Sequence, residues 1–430
     1  MKNSRRHREM LAAGAGIALV LSACSGNGAD ASGESNDGNA GGPGGDPITV
    51  GVLLPLTGNL AALGNEMYNG YKVAQEIINE QGGIDGRPIE FEVSDAPTPE
   101  DAVAVAGTLS MDPDVSVIMG SYSSGIAIPA SEVANRNGKP YWETGSAAAE
   151  TTERGLEYLF RTNASVAMES YNQINIDFFE EVVGPALGKD FSDVRIGIAH
   201  EDSAFGTSAV DAFHANAEAN GWNIVAEEPY TATTNDLSSV VQSLKSADVE
   251  FLYAASYVND AILLMKQSKE LGFEPDVVYG FGAGFTTPDI AQALGDDVNG
   301  IIAADGAPLN ITDDLLNDDL TPTYSEFIDT YNEMIGRDPL VHATIGFQGA
   351  MVLFQEVLPN ADAGDPDSIV EAARAVDIPN GGSVAYYGTK FDETGQNERA
   401  GFFVMQYTDG KLTTVFPEET AATGFVLAGK

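Results

Sequence analysis

The stretch ITVGVLLPLTG (residues 48–58), followed by AALGNEMYNGYKVAQEIINEQ (residues 61–81), decides the fold class. The first part is an apolar run rich in β-branched residues, ended by Pro55 and Gly58. That pattern predicts a strand buried on both faces, then a turn. In the second part apolar residues fall at Leu63, Met67, Tyr71, Ala74, Ile77 and Ile78. This is the spacing of an amphipathic helix, and Gly82-Gly83 supplies its stop.

The alternation continues outward from there. PIEFEVSDA predicts the next strand, and PEDAVAVAGTLSM the next helix, with Pro99 in its first turn. VSVIMG, a helix from about Ser124 to Asn137, and PYWET follow. A second series runs through DVRIGIAHED, a helix over 205–220, NIVAEEPY, a helix over 237–246, VEFLYAAS, a helix over 258–271, DVVYGF and a short helix near Pro288. Strands that are almost wholly apolar, alternating with helices, mean parallel sheets covered on both faces. Two such series predict an α/β protein of two doubly wound lobes. Beyond GIIAAD come helices over 322–335, 341–358 and 366–375. FFVMQYTDGKLTTVFP closes the chain with a hairpin turning at Asp409-Gly410.

Cys24 is the only cysteine among 430 residues. It follows Lys2, Arg5, Arg6 and Arg8 and the uninterrupted small or apolar run Met10–Leu21. Twelve helical residues reach about 18 Å, short of a hydrocarbon core of about 30 Å, which suits a signal peptide over residues 1–23. Leu21-Ser22-Ala23-Cys24 resembles a bacterial lipobox, so Cys24 is the expected lipidation site and membrane anchor. Residues 25–46 lack any large apolar side chain and read as a flexible tether reaching about 25 Å. One cysteine allows no disulfide and no cysteine-based metal cluster.

The formal charge is −43, and removing residues 1–23 takes away a net +3, leaving about −46. Such a surface repels nucleic acid and anionic headgroups, so neither is an expected partner. Enzyme signatures fail on spacing. GSYSSG (120–125) lacks the paired glycines of a nucleophile elbow: Ser123 has Ser121 behind it, and Ser124 is flanked by Tyr122 and Ile126. GFGAGF (280–285) has Phe285 where a dinucleotide loop needs its third glycine. His200, His214 and His342 are far apart, no GxxxxGK[ST] loop occurs, and ITDDLLNDDL lacks calcium-loop spacing. The expectation is recognition without catalysis, cofactor or metal.

Three blocks then carry a resemblance. Residues 50–109 combine the strand-P-L-T-G opening, Asn69-Gly70 within the first helix and G-G-I-x-G-R before the second strand. VIMGSYSSGIAIPASEVANRNGKPYWETGS (117–146) and IAHEDSAFGTSAV (198–210) follow in order. Together they resemble the leucine/isoleucine/valine-binding family of solute-binding proteins, from about residue 48 to about 410. The resemblance implies a type I periplasmic-binding-protein fold with a three-crossover hinge. Lobe 1 would hold 47–164 plus 305–385, and lobe 2 165–304 plus 386–430. A small ligand, a branched-chain amino acid or a related carboxylate or amide, would be captured between them.

It further implies delivery to an ABC importer whose permease and ATPase are separate chains, by a monomer held to the membrane only through its lipid. A ligand sensor of the same fold, or a secreted hydrolase, is the alternative. In open α/β sheets ligands sit beyond the carboxyl ends of the strands. By that rule and by the resemblance the expected contacts are Tyr122, Ser123, Ser124, Ser146 and Ala147 from lobe 1, and Phe205 and Tyr257 from lobe 2. Two positions depart from the amino-acid binders: Gly282 stands where they carry an acidic residue, and Leu63 where a tryptophan can stand. Either Glu143 replaces the missing charge or the ligand lacks an amine.

Overall fold

The computed structural model describes residues 45–282 and 284–427. Residues 1–44, with Cys24 and most of the expected tether, lie outside the described part. The first run is β1 (Ile48–Leu54), α1 (Ala61–Glu80), β2 (Ile89–Asp95), α2 (Pro99–Met111), β3 (Val115–Gly120), α3 (Ser124–Arg136), β4 (Tyr141–Glu143), α4 (Glu150–Glu153) and β5 (Leu159–Arg161). Its strands form an all-parallel sheet ordered β2-β1-β3-β4-β5. The second run is α5 (Glu169–Asp177), α6 (Gly184–Leu187), β6 (Arg195–Glu201), α7 (Ala204–Asn220), β7 (Asn223–Tyr230), α8 (Ser238–Ser246), β8 (Phe251–Ala255), α9 (Val258–Leu271), β9 (Val277–Phe281), α10 (Pro288–Leu294) and β10 (Ile302–Asp305).

The chain then returns with α11 (Tyr324–Ile335), α12 (Val341–Val352) and α13 (Pro366–Ala375) to the first lobe. Two-residue strands β11 (Asp377–Ile378) and β12 (Thr389–Lys390) pair with each other. Finally β13 (Phe403–Thr408) and β14 (Lys411–Phe416) complete the second sheet, ordered β14-β13-β10-β9-β8-β6-β7. Among the described strands β13 runs against its neighbours β10 and β14, and the other pairs of this sheet are parallel. The hairpin turns at Asp409 (φ 51°) and Gly410 (φ 73°), the two positive φ values a two-residue primed turn demands.

Local chemistry explains the elements that set the frame. All six apolar positions of α1 named above are buried, and Gly82 (φ 103°) and Gly83 (φ 73°) end it in conformations other residues resist. Thr98 caps α2 by accepting from the Asp101 N–H at 3.2 Å, with Pro99 in the first turn. The apolar helix α12 is buried along its whole length and lies against α1. The Trp142 indole N–H donates to the Gly349 carbonyl at 2.8 Å, pinning β4 to the same helix.

Three features differ from the sequence expectation. The segment 159–187 contains a strand, two helices and a π-helical stretch (Phe178–Val183) that periodicity did not reveal. Within it Phe178 and Phe179 enter the lobe-2 core against Tyr279 and Phe251. The helix expected over 341–358 widens to a π-helix over Leu353–Val357. Residues 395–397, assigned above to lobe 2, instead hydrogen-bond along Arg161 at the end of β5: Arg161 N–H to Gly395 O at 2.8 Å, and Asn397 N–H to Arg161 O at 2.9 Å. Residues 395–397 thus lie alongside the end of β5, at the edge of the first sheet.

The α1–α12 seam depends on Gly70. A Cβ there would lie 2.2 Å from the Ala343 carbonyl oxygen and 2.7 Å from the Phe347 nitrogen, both backbone atoms that cannot swing away. Gly70→Ala should therefore destabilise the fold by about 1–3 kcal/mol, the usual cost of overpacking. Chemical denaturation would read this as a lowered midpoint, whereas Gly107→Ala, where the nearest atom is a side-chain carbon at 4.0 Å, should leave the midpoint almost unchanged.

Candidate functional site

The carboxyl ends of both sheets face one narrow chamber between the lobes. Tyr122, Ser123, Ser124 and Ala147 border it from lobe 1, and Phe205 and Tyr257 from lobe 2, so six of the expected contacts come together. Its free volume is about 20 Å³, room for about one water. The lobes are thus nearly closed in this structure.

Lobe 1 supplies the polar wall. Ser123 is the N-cap residue of α3, yet its side chain caps nothing, which leaves the hydroxyl to the chamber. Ser124 Oγ accepts from the Ser146 hydroxyl (3.2 Å) and from the N–H groups of Ala147 (3.3 Å) and Ala148 (3.1 Å). A serine hydroxyl has two acceptor lone pairs and one proton. With its acceptor side used inside the lobe, the Ser124 proton is left for something in the chamber. The relay is consistent behind it: Ser146 Oγ lies 2.6 Å from Thr151 Oγ1, which can donate in turn. The first turn of α3 adds unpaired N–H groups and the positive end of the helix dipole.

Ser146 and Glu143 do not reach the chamber. The Ser146 side chain is consumed in the Thr151–Ser124 relay. Glu143 is fully buried and accepts from Ser121 N–H (2.9 Å), Ser121 Oγ–H (3.2 Å), Gly145 N–H (2.7 Å) and Ser146 N–H (2.7 Å). Burial pushes its carboxyl pKa up, and these donors hold it back down. Its charge serves the loops of lobe 1, so it is not the partner for a ligand's ammonium. Leu63 is likewise buried in the lobe-1 core.

Lobe 2 supplies an aromatic wall. The Phe205 ring stacks on Phe281 at 5.3 Å and lies 5.4 Å from Tyr257, and Tyr257 meets Tyr122 edge-on at 6.3 Å across the gap. Gly282 has φ 77°, and a Cβ there would stand 2.7 Å from Phe205 Cζ. The missing acidic residue thus has a steric reason: Phe205 occupies the space a side chain at 282 would need.

Five side chains that sequence reasoning missed complete the chamber: Asn163, Phe281, Asp305, His342 and Phe402. Asp305, at the end of β10, accepts from the Gly306 N–H (2.8 Å) and the Thr286 hydroxyl (3.3 Å), with His342 Nε2 at 3.6 Å. His342 packs edge-on against Tyr122 at 5.2 Å. Asn163 Oδ1 is buried without a hydrogen-bond partner. Asp305 was findable by the strand-end rule, and His342 as the one ionisable residue of a mainly apolar helix. Asn163 follows a strand that left no signal. Among the described residues no group of three His, Cys, Asp or Glu side chains is arranged to hold a metal, and no helix is long and apolar enough to cross a membrane.

Two doubly wound lobes closing on a chamber lined by free hydroxyls, one carboxylate and stacked rings define a binding protein for a small solute. A family model described as a periplasmic binding protein matches residues 47–411. Leu/Ile/Val-binding protein homolog 8 of Brucella abortus is 38% identical over 377 residues, covering 87% of this chain and 91% of that protein. The chain belongs to this family of extracytoplasmic solute-binding proteins, which are not enzymes. Among solved structures it is similar to LivJ, a branched-chain amino acid transporter substrate-binding protein of Streptococcus pneumoniae in complex with isoleucine (TM-score 0.72, 20% identity, 86% of this chain and 100% of that one). It is equally similar to an ABC-transporter solute-binding protein of Rhodopseudomonas palustris in complex with 3,4-dihydroxybenzoic acid (TM-score 0.70, 21% identity, 88% and 98%).

Beside Tyr257, burial pushes the Asp260 carboxyl up to about 7. Donors from Tyr230 and the Tyr257 backbone oppose that shift, and the neighbouring Glu201 charge adds to it. In the unfolded chain the group titrates near 3.9. Between about pH 4 and 7 the folded state therefore holds the extra proton, and Asp260's contribution to stability falls as pH rises. The unfolding midpoint of Asp260→Asn should consequently drop less between pH 5 and pH 8 than that of the parent. Identical drops would remove this role from Asp260.

Proposed function

We propose that this chain captures a small solute with a carboxylate or similar polar head, of the branched-chain amino acid, related carboxylate or amide class, for an ABC importer whose permease and ATPase are separate chains. The observation that carries the reading is the Ser124 side chain, which borders the chamber and whose oxygen accepts only from donors of lobe 1, so that its proton is available to a ligand. With Ser123 and the first turn of α3 it suits an anionic head. Where the ligand carries an amine, Asp305 and the unpartnered Asn163 Oδ1 are the acceptors, taking the part that no side chain at 282 can take. Phe205 and Tyr257 then cover the apolar portion. The isoleucine complex of the similar LivJ supports this class.

Capture is a hinge closure. Lobe 1, residues 47–164 with the return segment from 305 to about 397, binds first through Ser123 and Ser124. Lobe 2, residues 165–304 with β13 and β14, then closes. We place the protein outside the cytoplasmic membrane as a monomer, anchored by a lipid on Cys24 after removal of a signal peptide of residues 1–23. A single acyl chain gives only marginal membrane affinity, so Cys24 carries more than one.

A thermal-shift screen of the body from residue 45 onward tests the ligand class, because binding the folded state alone raises its stability as RT ln(1 + [L]/Kd). Leucine, isoleucine, valine, short amides or aromatic acids should raise the midpoint, and an absence of any shift across these classes would reject the reading. Ser124→Ala should weaken the bound solute roughly 10- to 100-fold, as expected for losing a hydrogen bond to a charged group. In cells, Cys24→Ser should move the protein from the membrane fraction to the medium or leave an unprocessed precursor; unchanged fractionation would rule out the anchor.

A further inference from the structure

The space between the lobes does not end at Tyr257. Tyr257 and Ser123 also border a second, outer chamber of about 460 Å³. Its lobe-1 wall is mainly apolar, with Leu60, Pro97, Pro99 and Ile126 beside the polar Asn59 and Thr98. Its lobe-2 wall carries Glu201, Asp202 and Asp260, and among the described residues no Lys, Arg or His lines it.

The three carboxylates are not equivalent. Glu201 is satisfied by the N–H and hydroxyl of Ser203 and by the Gly206 N–H, each at 2.7 Å. Asp202 is exposed and accepts from the Thr231 hydroxyl at 2.9 Å. Asp260 uses only Oδ2, which accepts from the Tyr230 hydroxyl at 2.9 Å and the Tyr257 N–H at 3.2 Å. Its Oδ1 has no hydrogen-bond partner although the residue is 1% exposed, and the Tyr257 hydroxyl beside it has none either. Capping α9 requires one oxygen of Asp260 and leaves the other unexplained. A buried carboxyl oxygen without a partner is costly whether or not the group carries its proton, and most so once it is ionised. The donor that best relieves it is a charged one, and the apolar wall opposite suits a hydrocarbon chain.

We propose that the natural solute is elongated. Its polar head sits at Ser124 in the inner chamber, and a short carbon chain passes Tyr257 to place a terminal ammonium or guanidinium against Asp260. This rests on the reading of the inner chamber as the solute site and adds the chemistry of the solute's far end. Glu201 and Asp202 contribute the negative field on the same wall.

Lysine and norleucine separate this idea from the reading beneath it, since they share a carbon chain and differ in the terminal ammonium. Titration calorimetry on the body should give lysine an affinity at least about tenfold above norleucine, the gain expected of a charge-assisted hydrogen bond. Asp260→Asn should abolish that preference, and Asp202→Asn, an exposed site that perturbs folding little, should reduce it by a smaller factor. Should Asp260→Asn fail to unfold cooperatively, Asp202→Asn and the parent's preference decide the matter. Norleucine or leucine binding as tightly as lysine would overturn the cationic end while leaving the inner chamber as the solute site. A full lysine preference retained by a cooperatively folded Asp260→Asn would overturn the role of Asp260. Binding of none of these amino acids, nor of the amides and aromatic acids above, would overturn both readings.

Discussion

Two buried glutamates hold the binding surface in place. Glu143 ends β4 in lobe 1, and Glu201 ends β6 in lobe 2. Each is fully buried, and each gathers donors from the loop that follows: Gly145 and Ser146 with Ser121 in the first case, Ser203 and Gly206 in the second. Desolvation raises the pKa of both, and the donated hydrogen bonds oppose it. A buried carboxylate without donors would cost several kcal/mol. The loops therefore cannot relax without exposing that cost. Since these loops lead to Ala147 and Phe205, the geometry of the chamber follows from the need to satisfy two charges outside it.

Arg161 extends this bracing to the hinge. Its fully buried guanidinium donates to the Ala148 carbonyl (2.6 Å), the Thr152 hydroxyl (3.0 Å) and Gln396 Oε1. Burial lowers its pKa to about 10, which still leaves it charged at neutral pH. One side chain thus joins the Ser146–Ala148 loop to the crossover segment around residue 396. On the other side of the chamber order comes from rings: Tyr171, Phe205, Phe281 and Phe402 pack in a continuous series from α5 to the approach of β13. The polar wall is held by hydrogen bonds and the aromatic wall by stacking. Within this bracing Asn163 Oδ1 and Asp260 Oδ1 are left buried without a hydrogen-bond partner.

Much of the frame was legible because it is written locally. The helix over 61–81, the helix over 258–271 and the turn at Asp409-Gly410 follow from periodicity and from residues that tolerate positive φ, and each lies where the sequence placed it. The segment 159–187 was not legible. Its strand has three residues, too few for a period, and its helices are stabilised by Phe178 and Phe179 reaching strands about 70 to 100 positions away. The serines opening α3 and the aromatics Phe205 and Tyr257, named from their position after strands, border one chamber. The sequence left the role of Glu143 open, because it shows a charge without showing the donors that satisfy it.

The sequence by itself determined the alternation of apolar strands with helices, hence two parallel sheets and a site beyond their carboxyl ends, because backbone hydrogen bonding and side-chain period act over a few residues. Only the tertiary structure decided which strand-end side chains border the chamber. Glu143 turns inward to its donors, Asp305 and Asn163 border the chamber, and Gly282 must stay bare because Phe205 fills the space above it. Those outcomes depend on volume and hydrogen-bond partners supplied by segments far apart in the chain, and such partners meet only when the lobes are folded.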